Sequence, residues 1–118
     1  MKANEIRVGN IFIGYDDKPF VWGLKEFSFI EPDVAISIDE IIKSPILLSE
    51  EILLKCGFES GSDDGNHWWF TKGDITINFS SWTGIFEFEW QNIEMKHLHQ
   101  LQNLYYSLTG EEFNTSGL

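Results

Sequence analysis

The sequence predicts an α+β fold, with antiparallel strands in an N-terminal set and a C-terminal three-stranded meander, packed with two helices. Three observations carry this. Residues 67–90 alternate apolar and polar side chains with a period of two. Residues 95–108 repeat leucines at helical spacing. Strands and helices are segregated along the chain, without the βαβ alternation of a parallel sheet. One domain spanning residues 1–118 is expected, a length that can bury a core without disulfides or metals.

The first third reads as short strands. Ile6–Tyr15 is rich in branched and aromatic residues around Gly9-Asn10, and Asp16-Asp17-Lys18-Pro19 has turn chemistry. Phe20–Leu24 and Glu26–Ile30 read as further strands, the latter because Phe27 and Phe29 alternate with polar neighbours. After Glu31-Pro32-Asp33, Val34, Ile36 and Ile38 resume the period of two. Residues 41–48 contain Pro45 and are expected to be extended.

A two-turn helix follows. Ser49 is a good N-cap, Glu50 and Glu51 complement the positive end of the helix dipole, and Lys55 sits at the other end. Gly57 can take the left-handed conformation that stops it. Residues 59–66 read as an acidic, glycine-rich loop.

His67–Lys72, Gly73-Asp74 and Ile75–Phe79 then form a hairpin with a two-residue turn. That register places Trp68, Phe70, Ile75, Ile77 and Phe79 on one face and Trp69, Thr71, Thr76 and Asn78 on the other. Ser80–Gly84 turns into a third strand, where Phe86, Phe88 and Trp90 face the core opposite Glu87 and Glu89. The last helix is expected over residues 94–108, with Leu98, Leu101, Leu104, Tyr105 and Leu108 as its apolar stripe and His97 inside it. Gly110 is placed to end it.

Three segments also carry a family resemblance: Asn4-Glu5-Ile6-Arg7-Val8-Gly9-Asn10, residues 45–58 (Pro45 to Phe58) and residues 97–112 (His97 to Glu112). The closing segment is the most specific. The chain resembles small, uncharacterised Bacteroidetes proteins found beside prophage and other mobile-element genes. The resemblance implies a bacterial intracellular origin and assigns no activity, cofactor or catalytic residue.

Composition removes several functions. Acids outnumber bases 19 to 8, for a net charge of −11, and no Lys or Arg cluster exists to contact phosphates. Direct binding to nucleic acid or anionic lipid is therefore not expected. No apolar run approaches the roughly 20 residues that span a bilayer, and the N-terminus lacks a signal-peptide core, so no membrane association and a cytoplasmic location are expected. The single cysteine, Cys56, allows no internal disulfide and lies among leucines, the setting of a buried apolar thiol.

Motifs for chemistry are sparse. His97 and His99, two apart on a helix, would point to nearly opposite sides, so one metal could not take both. Asp63, Asp64 and Asn66 lack the alternating ligand spacing of a calcium loop. No glycine-rich phosphate loop is present, and no metal or cofactor is expected. Glu87 and Glu89 would lie about 7 Å apart on one strand face, near the spacing of glycosidase carboxylates, with Trp69 available to stack a sugar.

A possible interaction surface comprises Trp69, Asn78, Glu87 and Glu89 on the sheet, with His99, Gln102 and Tyr106 as a stripe on the last helix away from its leucines. The function expected is a non-enzymatic protein-interaction or accessory module with a protein partner. Two alternatives stand beside it. One is an acidic mimic of nucleic acid that inhibits a DNA-binding protein. The other is a small carbohydrate binder or hydrolase using Glu87 and Glu89.

Overall fold

A computed structural model describes residues 5–29, 38–62, 65–88 and 93–118. The fold is α+β, with two antiparallel sheets. In chain order the elements are β1 (Ile11–Ile13), β2 (Pro19–Val21), α1 (Leu24–Phe29), α2 (Ile38–Ile41), β3 (Ser44–Pro45), α3 (Glu50–Lys55), β4 (Glu59–Ser62), β5 (His67–Lys72), β6 (Ile75–Ser80), β7 (Ile85–Phe88), β8 (Ile93–Met95) and α4 (Leu98–Thr109). The chain divides into two compact units. The first combines the residues up to Ile46 with His97–Glu112, and the second combines Leu47–Lys96 with Phe113–Leu118.

The first unit holds a three-stranded sheet in the order β2-β1-β3. Its core is aromatic: Phe12 and Trp22 are fully buried with Ile6 and Ile42, and Phe20, Phe27, Ile38 and Ile41 pack against them. Phe12 meets Trp22 edge-on at 6.1 Å between ring centroids, and Trp22 meets Phe27 edge-on at 5.4 Å. Rings in such pairs contribute beyond their area alone.

One strand read from the sequence in this unit is helical, and the one described residue of another also lies in a helix. Residues 24–29 form α1, where Glu26 accepts from the backbone N–H of Gly23 at 3.2 Å and Phe27 N donates to Gly23 O. These local bonds to the chain entering the segment outweigh the alternation of Phe27 and Phe29. Ile38, expected in a strand, opens α2; Val34 and Ile36 lie outside the described residues. Pro45 is extended as expected, pairing with Phe12.

The second unit holds a five-stranded meander in the order β4-β5-β6-β7-β8. The hairpin has the register read from the sequence, Phe70 opposite Ile77 and Trp68 opposite Phe79. Two strands exceed the expected three. β4 takes residues expected in a loop, because Ser60 and Gly61 find ladder partners in Phe70 and Trp69. β8 takes Glu94 and Met95, which were expected in the last helix, and Met95 pairs with Phe86 on the buried face. Leu53, Phe58, Phe70, Ile77, Phe86 and Phe113 are buried in this unit; Trp68, Phe79 and Phe88 are only half-buried, and Trp90 lies outside the described residues.

α3 matches its reading closely. Ser49 Oγ accepts from Ile52 N at 3.1 Å, Lys55 pairs with Glu51 at 2.9 Å, and Gly57 is left-handed. Cys56 is buried beside it, and burial pushes its thiol up to about 11, with Lys72 pulling weakly the other way.

Candidate functional site

The outward face of the five-stranded sheet brings three of the sequence-predicted residues into one cross-strand row. Trp69 stands opposite Asn78, and Asn78 opposite Glu87. The row ends on Glu94, the cross-strand partner of Glu87. Period-two alternation produces this arrangement, since the same strands send Phe70, Ile77 and Phe86 into the core. Asn78 is exposed, while Trp69 and Glu87 are half-buried. Glu89, expected beside Glu87, lies outside the described residues.

A feature of β4 shapes this face. Gly61 is the partner of Trp69, and the indole lies across it: Nε1, Cε2 and Cζ2 are 2.5, 2.6 and 2.8 Å from where a Cβ would stand. Any side chain at position 61 would lift the ring. Glycine at this position therefore leaves room for the Nε1–Cζ2 side of the indole to come close over the β4 backbone.

Beside the row is a cleft of about 560 Å³, lined by His67, Trp69, Asn78, Ser80, Trp82 and Glu87 among others. Trp82 sits in the turn between β6 and β7 and is 71% exposed. Its ring is held perpendicular to that of His67, with centroids 4.8 Å apart. Its backbone N–H donates to Ser80 Oγ at 3.3 Å. Sequence reasoning missed Trp82 and His67. A tryptophan inside a Ser-Ser-Trp-Thr-Gly turn, where no core is available to it, was the signal that could have found them.

The helical half of the expected interaction surface is corrected. His99 and Gln102 are buried, with relative exposures of 4% and 2%. The cause is that α4 packs its polar stripe against the backbone of the N-terminal segment. Gln102 Nε2 donates to Gly9 O at 2.9 Å and its Oε1 accepts from Ile11 N at 2.9 Å. Asn103 accepts from Asn10 Nδ2 at 2.8 Å and from Arg7 Nε at 3.1 Å. Tyr106 alone of the three stays exposed, and the Arg7 guanidinium lies 4.3 Å from its ring centroid. Arg7 also pairs with Glu112.

α4 begins at Leu98, so His97 is its extended N-cap and not part of the apolar stripe. The premise that both histidines ride one helix on opposite sides fails with it. Their rings are stacked, 5.8 Å apart and within 13° of parallel. Leu98, Leu101 and Tyr105 are buried as expected, whereas Leu104 is half-buried and Leu108 exposed.

A second cleft, of about 540 Å³, lies in the first unit beside these rings, lined by Glu5, Asp39, Lys43, His97, His99 and Asn103 among others. His99 also packs on Phe12 at 5.0 Å, and its buried Nδ1 has no hydrogen-bond partner. Burial holds its pKa down to about 4, reinforced by His97 and opposed by Glu5. No group of three His, Cys, Asp or Glu side chains among the described residues could hold a metal ion.

No helix among the described residues is long and apolar enough to cross a membrane. Compared with known proteins, the chain matches no family model, no curated protein and no solved structure.

Proposed function

We propose that the chain is a non-enzymatic binding module, a protein-interaction or accessory part of mobile-element origin, whose recognition surface is the outward face of the five-stranded sheet. One observation carries the reading: the Trp69–Asn78–Glu87 row beside a highly exposed tryptophan, Trp82. Large aromatic groups flanked by hydrogen-bonding side chains are the usual anchors of recognition surfaces, tryptophan above all. The helix stripe drops out of the surface, since His99 and Gln102 serve the packing of α4.

The test is a pull-down of the tagged chain from nuclease-treated lysate of its host, run beside the double variant Trp82→Ala/Glu87→Lys. The expected outcome is one stoichiometric partner captured by the parent chain and lost by the variant. Equal capture by both would remove the sheet face from consideration.

A second reading, the acidic mimic, is favoured by one feature. Glu87 and Glu94 are direct cross-strand neighbours, and like charges so placed repel. A basic partner surface would relieve that repulsion. Capture that falls steeply as salt rises would favour this reading, because exposed charge pairs are screened within a Debye length of about 8 Å at physiological salt.

A further inference from the structure

The cleft at the His67 end of the sheet has a more specific chemistry than the face around it. We propose that it takes pyranose rings of a neutral saccharide, with Trp69 as the stacking floor and Trp82 as a second, exposed aromatic wall. This rests on the reading of the outward face as a recognition surface and names what the cleft in that face binds.

The cavity has the right scale. At about 560 Å³ it falls within the range of roughly 300–1,000 Å³ typical of small-ligand sites. Its floor is flat and already in place. The Trp69 indole is set against Gly61, as its 2.5–2.8 Å approach to the missing Cβ requires, and it lines the cleft in that position. A ring fixed in advance loses little conformational entropy on binding. Trp82 is likewise restrained, by His67 on one side and by the Ser80 hydroxyl at its backbone.

The polar lining selects the ligand class. Asn78 offers both an amide donor and an acceptor, Ser80 a hydroxyl that does both, and Glu87 carboxylate acceptors. Sugar hydroxyls donate and accept in the same way, while the C–H face of a pyranose is apolar enough to lie on an indole. None of the lining residues is Lys or Arg, which leaves an anionic ligand without a counter-charge. A strongly cationic ligand would find one carboxylate in the cleft, that of Glu87. A neutral, polyhydroxylated ligand with an apolar face fits the set best.

The experiment is a titration followed in ¹H–¹⁵N spectra, reading the indole N–H signals of Trp69 and Trp82 and the side-chain amide of Asn78. The probes are oligosaccharides of glucose, mannose, galactose, xylose and N-acetylglucosamine at millimolar concentration, with an arginine-rich peptide as the contrasting ligand. The expected result is saturable movement of all three signals by at least one saccharide, little changed by salt. Trp82→Ala and Asn78→Ala should each weaken that binding by about tenfold. Both changes lie at exposed positions, and the dispersion of the spectra reports whether each variant is folded.

If no saccharide moves these signals in the folded protein, the proposal is overturned. The same holds if the signals move but Trp82→Ala and Asn78→Ala leave the affinity unchanged. Movement by the peptide alone overturns it in favour of a cationic partner. The pull-down separates the two levels: a partner still lost by Trp82→Ala/Glu87→Lys, with no saccharide response, keeps the face and discards the sugar.

Discussion

Gln102 pairs with the backbone at Ile11 as a neighbouring strand would. Its Oε1 accepts from Ile11 N at 2.9 Å while its Nε2 donates to Gly9 O at 2.9 Å. On the other edge of the same segment, Gly9 N and Asn10 O are bonded to Trp22. A helix side chain thus takes over the β3 side of β1 at the point where the short β3 has ended. Gln102→Leu keeps the bulk and removes both bonds, stranding a buried donor at Ile11 and a part-buried acceptor at Gly9. The expected loss is about 2–4 kcal/mol of stability, read as a lower urea midpoint with an unchanged slope.

His99 gives the stability a defined pH dependence. In the folded chain it stays neutral down to about pH 4, whereas unfolded it takes a proton near its ordinary value of 6.5. Between those values the unfolded chain binds a proton that the folded chain refuses, so stability falls as pH drops through this window. The total is on the order of 3 kcal/mol. His99→Leu should abolish this component. The difference between parent and variant urea midpoints, measured from pH 7 to pH 4, isolates it from carboxylates common to both.

Gly61→Ala tests the floor of the candidate cleft. A methyl at position 61 meets three atoms of the Trp69 indole at 2.8 Å or less, so the ring must rise or the strands part. The expected cost is about 1–3 kcal/mol, with a shift in tryptophan emission as the indole moves toward solvent. Unchanged emission and unchanged stability would show that the ring does not lie on Gly61.

Ser49→Ala should cost about 1 kcal/mol, since the Ile52 N–H then loses its side-chain acceptor at the start of a helix of only six residues. Ser49→Asp should restore most of it. Thermal midpoints of the three proteins decide this.

Cys56 should resist alkylation in the folded chain. It is buried, and its thiol is held up at about 11, which leaves little thiolate at neutral pH. Iodoacetamide labelling followed by mass spectrometry should be slow in buffer and fast in denaturant. Fast labelling in buffer would mean that the segment around α3 opens readily.

The sheet of the second unit was legible because two independent signals agreed. The alternation of Trp68, Phe70, Ile75 and Ile77 set the face, and Gly73-Asp74 set the register. Where one signal stood alone it misled. Phe27 and Phe29 alternate, yet Glu26 reaches back to Gly23 and starts a helix. Ser60 and Gly61 have little strand preference, yet the free edge of β5 recruits them. Glu94 and Met95 continue the helical spacing of α4 but are claimed by β7 as ladder partners.

For the candidate site, Trp69, Asn78 and Glu87 followed from pattern alone. His99 and Gln102 could not be placed that way, because a polar residue is assigned to solvent unless its partner is known. Their partners are 87 or more positions away: Phe12 for His99, Gly9 and Ile11 for Gln102. Trp82 was hidden for the opposite reason, an aromatic residue that the core does not absorb.

The division of the chain into two discontinuous units has a consequence for its synthesis. The first unit needs Gln102 and the second needs Phe113, which packs edge-on against Phe58. Both depend on what leaves the ribosome after residue 97. At a translation rate of about 5–20 residues per second, the N-terminal strands wait several seconds for the helix that seals them. During that interval Phe12 lacks the α4 residue His99 that packs on it. The nascent chain is then more open to chaperones and proteases than the finished one, and a stop codon before Phe113 would complete the first unit but leave the second unclosed.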